Sequence, residues 1–171
     1  VDLESGRPQV TENARYTEGP TDLHLPGPYG GHNWHPMSYS PKTGLVYIPR
    51  QDVGYVYAAD GDFEFKAGYW NTGTDARPAS LPDDPKVKGA MLKTVRGLIV
   101  AWDPVAKEPR WQVEHAGPWN GGMLSTAGNL LLQGNAEGEL VAYRADNGDE
   151  LWSFDAQTGI GEVIDALADL G

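Results

Sequence analysis

Residues 111–134 read WQVEHAGPWNGGMLSTAGNLLLQG, and the two flanks of this stretch are variants of one another. Upstream stands LIVAWDPVAKEPRW, residues 98–111; downstream stands LVAYRADNGDELW, residues 140–152. Shifted by 41 positions, Val100-Ala101 falls on Val141-Ala142 and Trp111 on Trp152. Each copy is an apolar strand, a polar turn and a short strand carrying Trp ten residues after the Ala. A strand–turn–strand unit repeating every 40 to 45 residues or so is the sequence mark of a propeller blade. The repeat leaves Pro118-Trp119-Asn120-Gly121-Gly122 unexplained, and function is expected there.

Composition agrees with this reading. The chain has 171 residues with 22 Gly, 13 Pro, 6 Trp and 8 Tyr, and its apolar runs are short and bounded by turn residues, which predicts an all-β protein. A net charge of −11 with no basic cluster argues against a nucleic-acid partner. Without cysteine the chain can hold no disulfide, zinc thiolate site or c-type haem attachment. No signal peptide or apolar run of membrane-spanning length occurs. Asp2, Ser5 and Gly6 echo a blade turn, so the chain is expected to be a piece of something longer.

Outward from the repeat, residues 32–50, HNWHPMSYSPKTGLVYIPR, read as strand, tight turn, strand. Before them, TEGPTDLHLPGPYGG (17–31) carries three prolines and is expected as a loop on the surface or over a pocket. Residues 51–95 lack sustained alternation and read as a long insertion within a blade. Asp146-Asn147-Gly148-Asp149 is a turn, since Asn-Gly accepts positive φ. After Gly161 the chain finishes EVIDALADLG, with Val163, Ile164, Leu167 and Leu170 at helical spacing, so 162–171 form an atypical tail.

Three pieces carry a family resemblance: Gly-Gly-His-Asn-Trp-His-Pro-Met (30–37) followed by Thr-Gly-Leu-Val-Tyr-Ile-Pro, then Leu-Ile-Val-Ala-Trp-Asp-Pro, then Trp-Asn-Gly-Gly-Met-Leu-Ser-Thr-Ala-Gly-Asn. Over roughly residues 1–161 the chain resembles the quinoprotein alcohol dehydrogenases, which are periplasmic eight-bladed propellers using pyrroloquinoline quinone. The spacing Ala142…Gly148…Trp152 looks like the tryptophan docking motif that joins their blades. The implied fold is an all-β partial propeller, about two to three four-stranded antiparallel blades from the later part of the ring. The implied activity is oxidation of primary alcohols to aldehydes, with electrons passing to an acceptor such as a c-type cytochrome. A calcium ion acts there as Lewis acid on the quinone, beside a catalytic Asp.

In such proteins that Asp, the calcium ligands and the vicinal cysteines precede this segment. No catalytic residue and no metal ligand is therefore expected here, and the remaining blades are the implied partners. In the quinohaemoprotein branch a haem c domain is present, and its haem cannot reside in this cysteine-free chain. Asn33 and Trp34 match the family's Asn-Trp pair at the quinone, where an amide donor and acceptor suit its carbonyl and carboxylate oxygens. Trp119 matches the Trp of the later motif at the same pocket, with Asn120, Gly121 and Gly122 letting the backbone approach. The tail after Gly161 departs from the family pattern.

Simpler roles compete with these. Asn33 alone would read as a turn former, and Trp119 as a core or docking residue like Trp111 and Trp152. His32 and His35 lack a third ligand and a helix to align them, and read as no metal site. Asp60, Asp62 and Asp75 lack calcium-loop spacing and read as solvated acids. Asp103 and Asp146 read as turn residues, and His24 and His115 as surface or hydrogen-bonded. A non-catalytic propeller scaffold of the outer-membrane assembly kind needs the repeats too, but has no reason to bring Asn33-Trp34 and Trp119-Asn120 together. Convergence of those side chains on one concavity separates the two readings.

Overall fold

The computed structural model describes residues 1–157 except 13, 17, 18, 20, 22, 76, 78–82, 93, 94 and 116. The tail at 162–171 lies outside the described residues. Two four-stranded antiparallel sheets carry the architecture. In the first, β1 (Ser38–Ser40), β2 (Leu45–Asp52), β3 (Arg96–Asp103) and β4 (Glu108–His115) pair in chain order. In the second, β5 (Leu124–Ser125), β6 (Leu130–Gly134), β7 (Glu139–Arg144) and β8 (Glu150–Asp155) do the same. The short first strands neighbour one another, with Ser125 Oγ donating to Tyr39 O at 3.2 Å. Two consecutive up-and-down sheets meeting at their first strands are blades of a β-propeller.

The repeat in the sequence is a repeat in register. Ala101 pairs with Trp111 and Ala142 with Trp152, and each sheet has a bulge just after that Ala. The turns repeat as well. Lys107 N donates to Asp103 O, and Gly148 N to Arg144 O, each at 2.8 Å, while Gly44 N donates to Ser40 O at 2.9 Å. All three closing residues have positive φ (59°, 80° and 72°). In the Asn147-Gly148 pair only Gly148 enters that region. Gly6 N donates to Asp2 O at 2.9 Å with φ 68°, so the echo at the start of the chain is a turn of the same build.

Across the first sheet the register aligns Ser38, Tyr47, Ala101 and Trp111 in one row. Alternation puts that row on one face, and the face packs on Leu131, Val141, Tyr143 and Ala145 of the second sheet to make the core. Burial pushes the Tyr143 phenol up to about 12. A close fit lies at the β7–β8 turn. Tyr47 Oη donates to Ala145 O at 2.8 Å, and Trp111 Nε1 donates to the same carbonyl at 3.2 Å. A Cβ on Gly148 would stand 2.7 Å from the Trp111 ring, so glycine is needed there for contact as well as for φ. In the second sheet the equivalent row is Leu124, Leu132, Ala142 and Trp152. Trp152 is half exposed and, among the described residues, stacks only on Phe154.

Residues 53–95 leave the first sheet between β2 and β3. Their first part is laced to the Pro-rich segment before β1: His24 and Tyr55 exchange backbone bonds of 2.9 Å, Thr21 N donates to Tyr57 O at 2.8 Å, and Gly27 N to Val53 O at 2.7 Å. The chain then folds back, Asp75 N donating to Ala58 O at 2.8 Å. This stretch also holds one helix, α1 (Pro85–Leu92), where the sequence reading expected only loop. Its start is written in the residues: Asp84 accepts from Lys86 N at 2.8 Å as N-cap, and Pro85 takes the first helical position.

Candidate functional site

The two loops that the repeat does not explain meet at one end of the sheets. Residues 29–36 enter β1, and residues 117–123 link β4 to β5. Met123 N donates to Pro36 O at 2.8 Å, and a Cβ on Gly122 would collide with the Pro36 ring. Gly122 therefore lets the two motifs pack on each other. The close approach at Gly122 is to the Pro36 ring.

Behind this contact His115 Nε2 lies 2.9 Å from Gln133 Oε1, and Gln133 Nε2 donates to Gly121 O at 2.8 Å. Gly121 N donates in turn to Gly134 O at 2.7 Å. Gln133 is fully buried and closes this relay, a role no local pattern announces. Burial holds the His115 imidazole below its ordinary range, outweighing its bond to Gln133 and the charges of Glu137 and Glu139. The unfolded chain takes up that proton at about pH 6.5. Stability should therefore fall as pH drops through that value toward the depressed one, because the unfolded state then binds more protons. Urea midpoints measured from pH 7.5 to 5.5 should decline in the wild type and decline less in His115→Gln; equal slopes would remove His115 as the cause.

Asn33, Trp34 and Trp119 line one concavity of about 670 Å³, together with Pro28, Tyr29, Tyr55, Tyr57, Trp70, Thr72 and Thr74. Six of these ten residues are aromatic and none is charged, which suits a flat apolar ligand. Trp34 and Trp119 expose 63% and 41% of their surface, so both indoles remain accessible. Tyr29 meets Trp119 edge-on with ring centres 5.3 Å apart. Asn33 Nδ2 donates to Tyr29 O at 3.3 Å, and its Oδ1 takes no hydrogen bond among the described residues. Gln51 Nε2 donates to Tyr29 O at 3.1 Å and holds that turn on β2.

Asn120 is not brought to this wall. It is 5% exposed, its Nδ2 donates to Gly117 O at 2.8 Å, and its Oδ1 accepts from Ala136 N at 3.2 Å. Both ends of the amide close the loop against backbone. Gly97 is needed beneath it, since a Cβ there would collide with Asn120 Nδ2 and Gly117 O. Tyr29, Tyr55, Tyr57 and Trp70 were not singled out from the sequence. The available sign was aromatic density in Gly- and Pro-rich stretches without strand period. His32 Nδ1 is tied to Pro49 O at 2.8 Å, while His35 is buried under Trp34. Among the described residues no three His, Asp or Glu side chains gather as a metal site.

This chain is similar along nearly its whole length to known proteins of one kind. The dehydrogenase subunit of quinone alcohol dehydrogenase from Gluconacetobacter polyoxogenes is 47% identical over 162 residues, covering 94% of this chain and 22% of that relative. The structure of quinohemoprotein alcohol dehydrogenase ADHIIG from Pseudomonas putida HK5 matches with a TM-score of 0.78 and 36% identity over 94% of this chain and 24% of that one. That of the Comamonas testosteroni quinohemoprotein alcohol dehydrogenase matches with a TM-score of 0.72 and 41% identity, over 91% of this chain and 23% of the other. A family model described as outer membrane protein assembly factor BamB matches residues 95–168. The fold is thus part of a quinoprotein dehydrogenase propeller. The chain belongs to the quinoprotein alcohol dehydrogenase family and spans 22% of the length of its curated relatives.

Proposed function

We propose that this chain supplies one wall of the quinone pocket in a pyrroloquinoline-quinone- and calcium-dependent alcohol dehydrogenase. The supporting observation is that Asn33 and Trp34, on one loop, share a concavity with Trp119 from another. Trp34 and Trp119 offer ring faces for a planar cofactor, and Asn33 Oδ1 is left to pair with a polar group on it. When bound, the quinone supplies the oxidising power for a primary alcohol, which leaves as the aldehyde. The uncharged wall fixes the ring plane and excludes water, while catalytic base and calcium ligands come from outside this segment. Electrons leave to an acceptor such as a c-type cytochrome, and the working compartment is the periplasm. Asn120 acts as the anchor of the Trp119 loop.

The sheets support a proposal about blade partners too. Trp111 seats on the β7–β8 turn, and Trp152 is its equivalent one repeat later, with no sheet on it among the described residues. A further blade bearing a glycine turn is its partner in the longer protein. The isolated chain should show no alcohol turnover with added quinone and calcium.

Titrating the chain with pyrroloquinoline quinone and calcium should give saturable quenching of Trp fluorescence. Asn33→Ala and Trp119→Ala should each weaken it by about tenfold or more. A well-folded chain that shows no quenching favours the second reading, a non-catalytic propeller scaffold. The assembly-factor match at residues 95–168 supports that reading for the blade repeats, but those residues exclude Asn33 and Trp34.

A further inference from the structure

Beneath the slot lies a residue that neither the repeat nor the quinone motif explains. His35 is 8% exposed, although its neighbour Trp34 is 63% exposed. Its ring lies under the Trp34 indole with centres 4.3 Å apart and planes 21° from parallel. The same ring sits 5.7 Å from Trp119 at 51°. One imidazole therefore touches both indoles of the slot, one from each loop. Trp34 is stacked on His35 and also lines the concavity. Among the described residues the ring nitrogens of His35 take no hydrogen bond, so the ring is held by stacking. The backbone fixes it from the C-terminal side, where Pro36 packs on Gly122 and accepts from Met123 N.

We propose that His35 is a positioning residue of the slot, an imidazole plate that sets the Trp34 and Trp119 indoles at the spacing a flat ligand needs. The ligand part of this rests on the quinone reading above; the setting of the indoles does not. A plate works best uncharged. Burial holds the His35 imidazole below its ordinary range, and the charge of His32 adds to this. Around it, Tyr29 is the only titratable residue of 27–31, and the 117–123 loop brings none. On β2, Arg50 and Asp52 are paired with each other. Protonation at low pH places a cation on the Trp34 face and beside the Trp119 ring and alters their emission.

The test uses the full chain as wild type, His35→Phe and His35→Ala. Without ligand, Trp emission followed from pH 8 to 5 should show a step in the wild type, centred below the ordinary imidazole range. The step should vanish in His35→Phe, whose ring keeps the plate. With pyrroloquinoline quinone and calcium, His35→Phe should bind within about twofold of wild type, and His35→Ala about tenfold more weakly. Wild-type binding by His35→Ala, or equal weakening by both variants, would overturn the plate. So would a pH step that persists in His35→Phe. If the wild type binds no quinone, the quinone reading fails, and the ligand-free pH profile still decides whether His35 sets the indoles.

Discussion

Replacing Trp111 by alanine should destabilise the two-sheet unit by about 3 kcal/mol, whereas Trp152→Ala should cost less than about 1 kcal/mol. The two tryptophans occupy equivalent places in the repeat, each paired with an Ala just before a bulge. They differ in what they touch. Trp111 lies against Gly148, donates to Ala145 O and packs beside Tyr47 with ring centres 5.8 Å apart. Removing its ring opens a cavity between the sheets and takes a donor from that carbonyl. Trp152 is 51% exposed, so its removal uncovers little. Urea unfolding of both variants measures the difference directly. Equal losses would mean that Trp111 is not what joins the sheets.

Gly122→Ala should have the second large effect, about 1–3 kcal/mol of stability together with loss of quinone quenching. The added methyl meets the Pro36 ring, which is locked on the backbone and cannot turn aside. Relief requires the 117–123 loop and the 29–36 loop to separate, and that separation moves Trp119 away from Trp34. A variant that keeps quenching while losing stability would show that the slot does not depend on this packing. Gly121→Ala serves as comparison, because the Gly121 backbone is held by Gly134 O and by the Gln133 side-chain amide.

What could be read in advance follows from how local the determinants are. The blades were legible at residues 98–113 and 139–154 because strand, turn and Trp lie within one consecutive stretch. Asn33, Trp34 and Trp119 were legible as motif members, and the structure brings them to one wall. Asn120 belongs to the same motif, yet its amide is consumed by Gly117 O and Ala136 N, partners fixed only when the loop closes. At Gly122 the sequence shows only the missing side chain, and the group packed against it is Pro36, 86 positions earlier in the chain. Tyr55, Tyr57 and Trp70 come from a segment with no period to announce them. Helix α1 was missed for another reason: its Asp84-Pro85 cap is a local signal, masked by the surrounding Gly and Pro.

The Ala145 carbonyl also orders events in time. It accepts from Tyr47, 98 residues earlier, and from Trp111, 34 residues earlier. The β7–β8 hairpin that presents it forms from neighbouring residues and closes within microseconds, whereas both donors must be brought in from far along the chain. On the ribosome all four strands of the first sheet emerge before residue 148 does, and until then Tyr47 and Trp111 lack their partners at Ala145 and Gly148. A nascent chain halted between the two blades should therefore be a far better chaperone client than one halted just beyond the second.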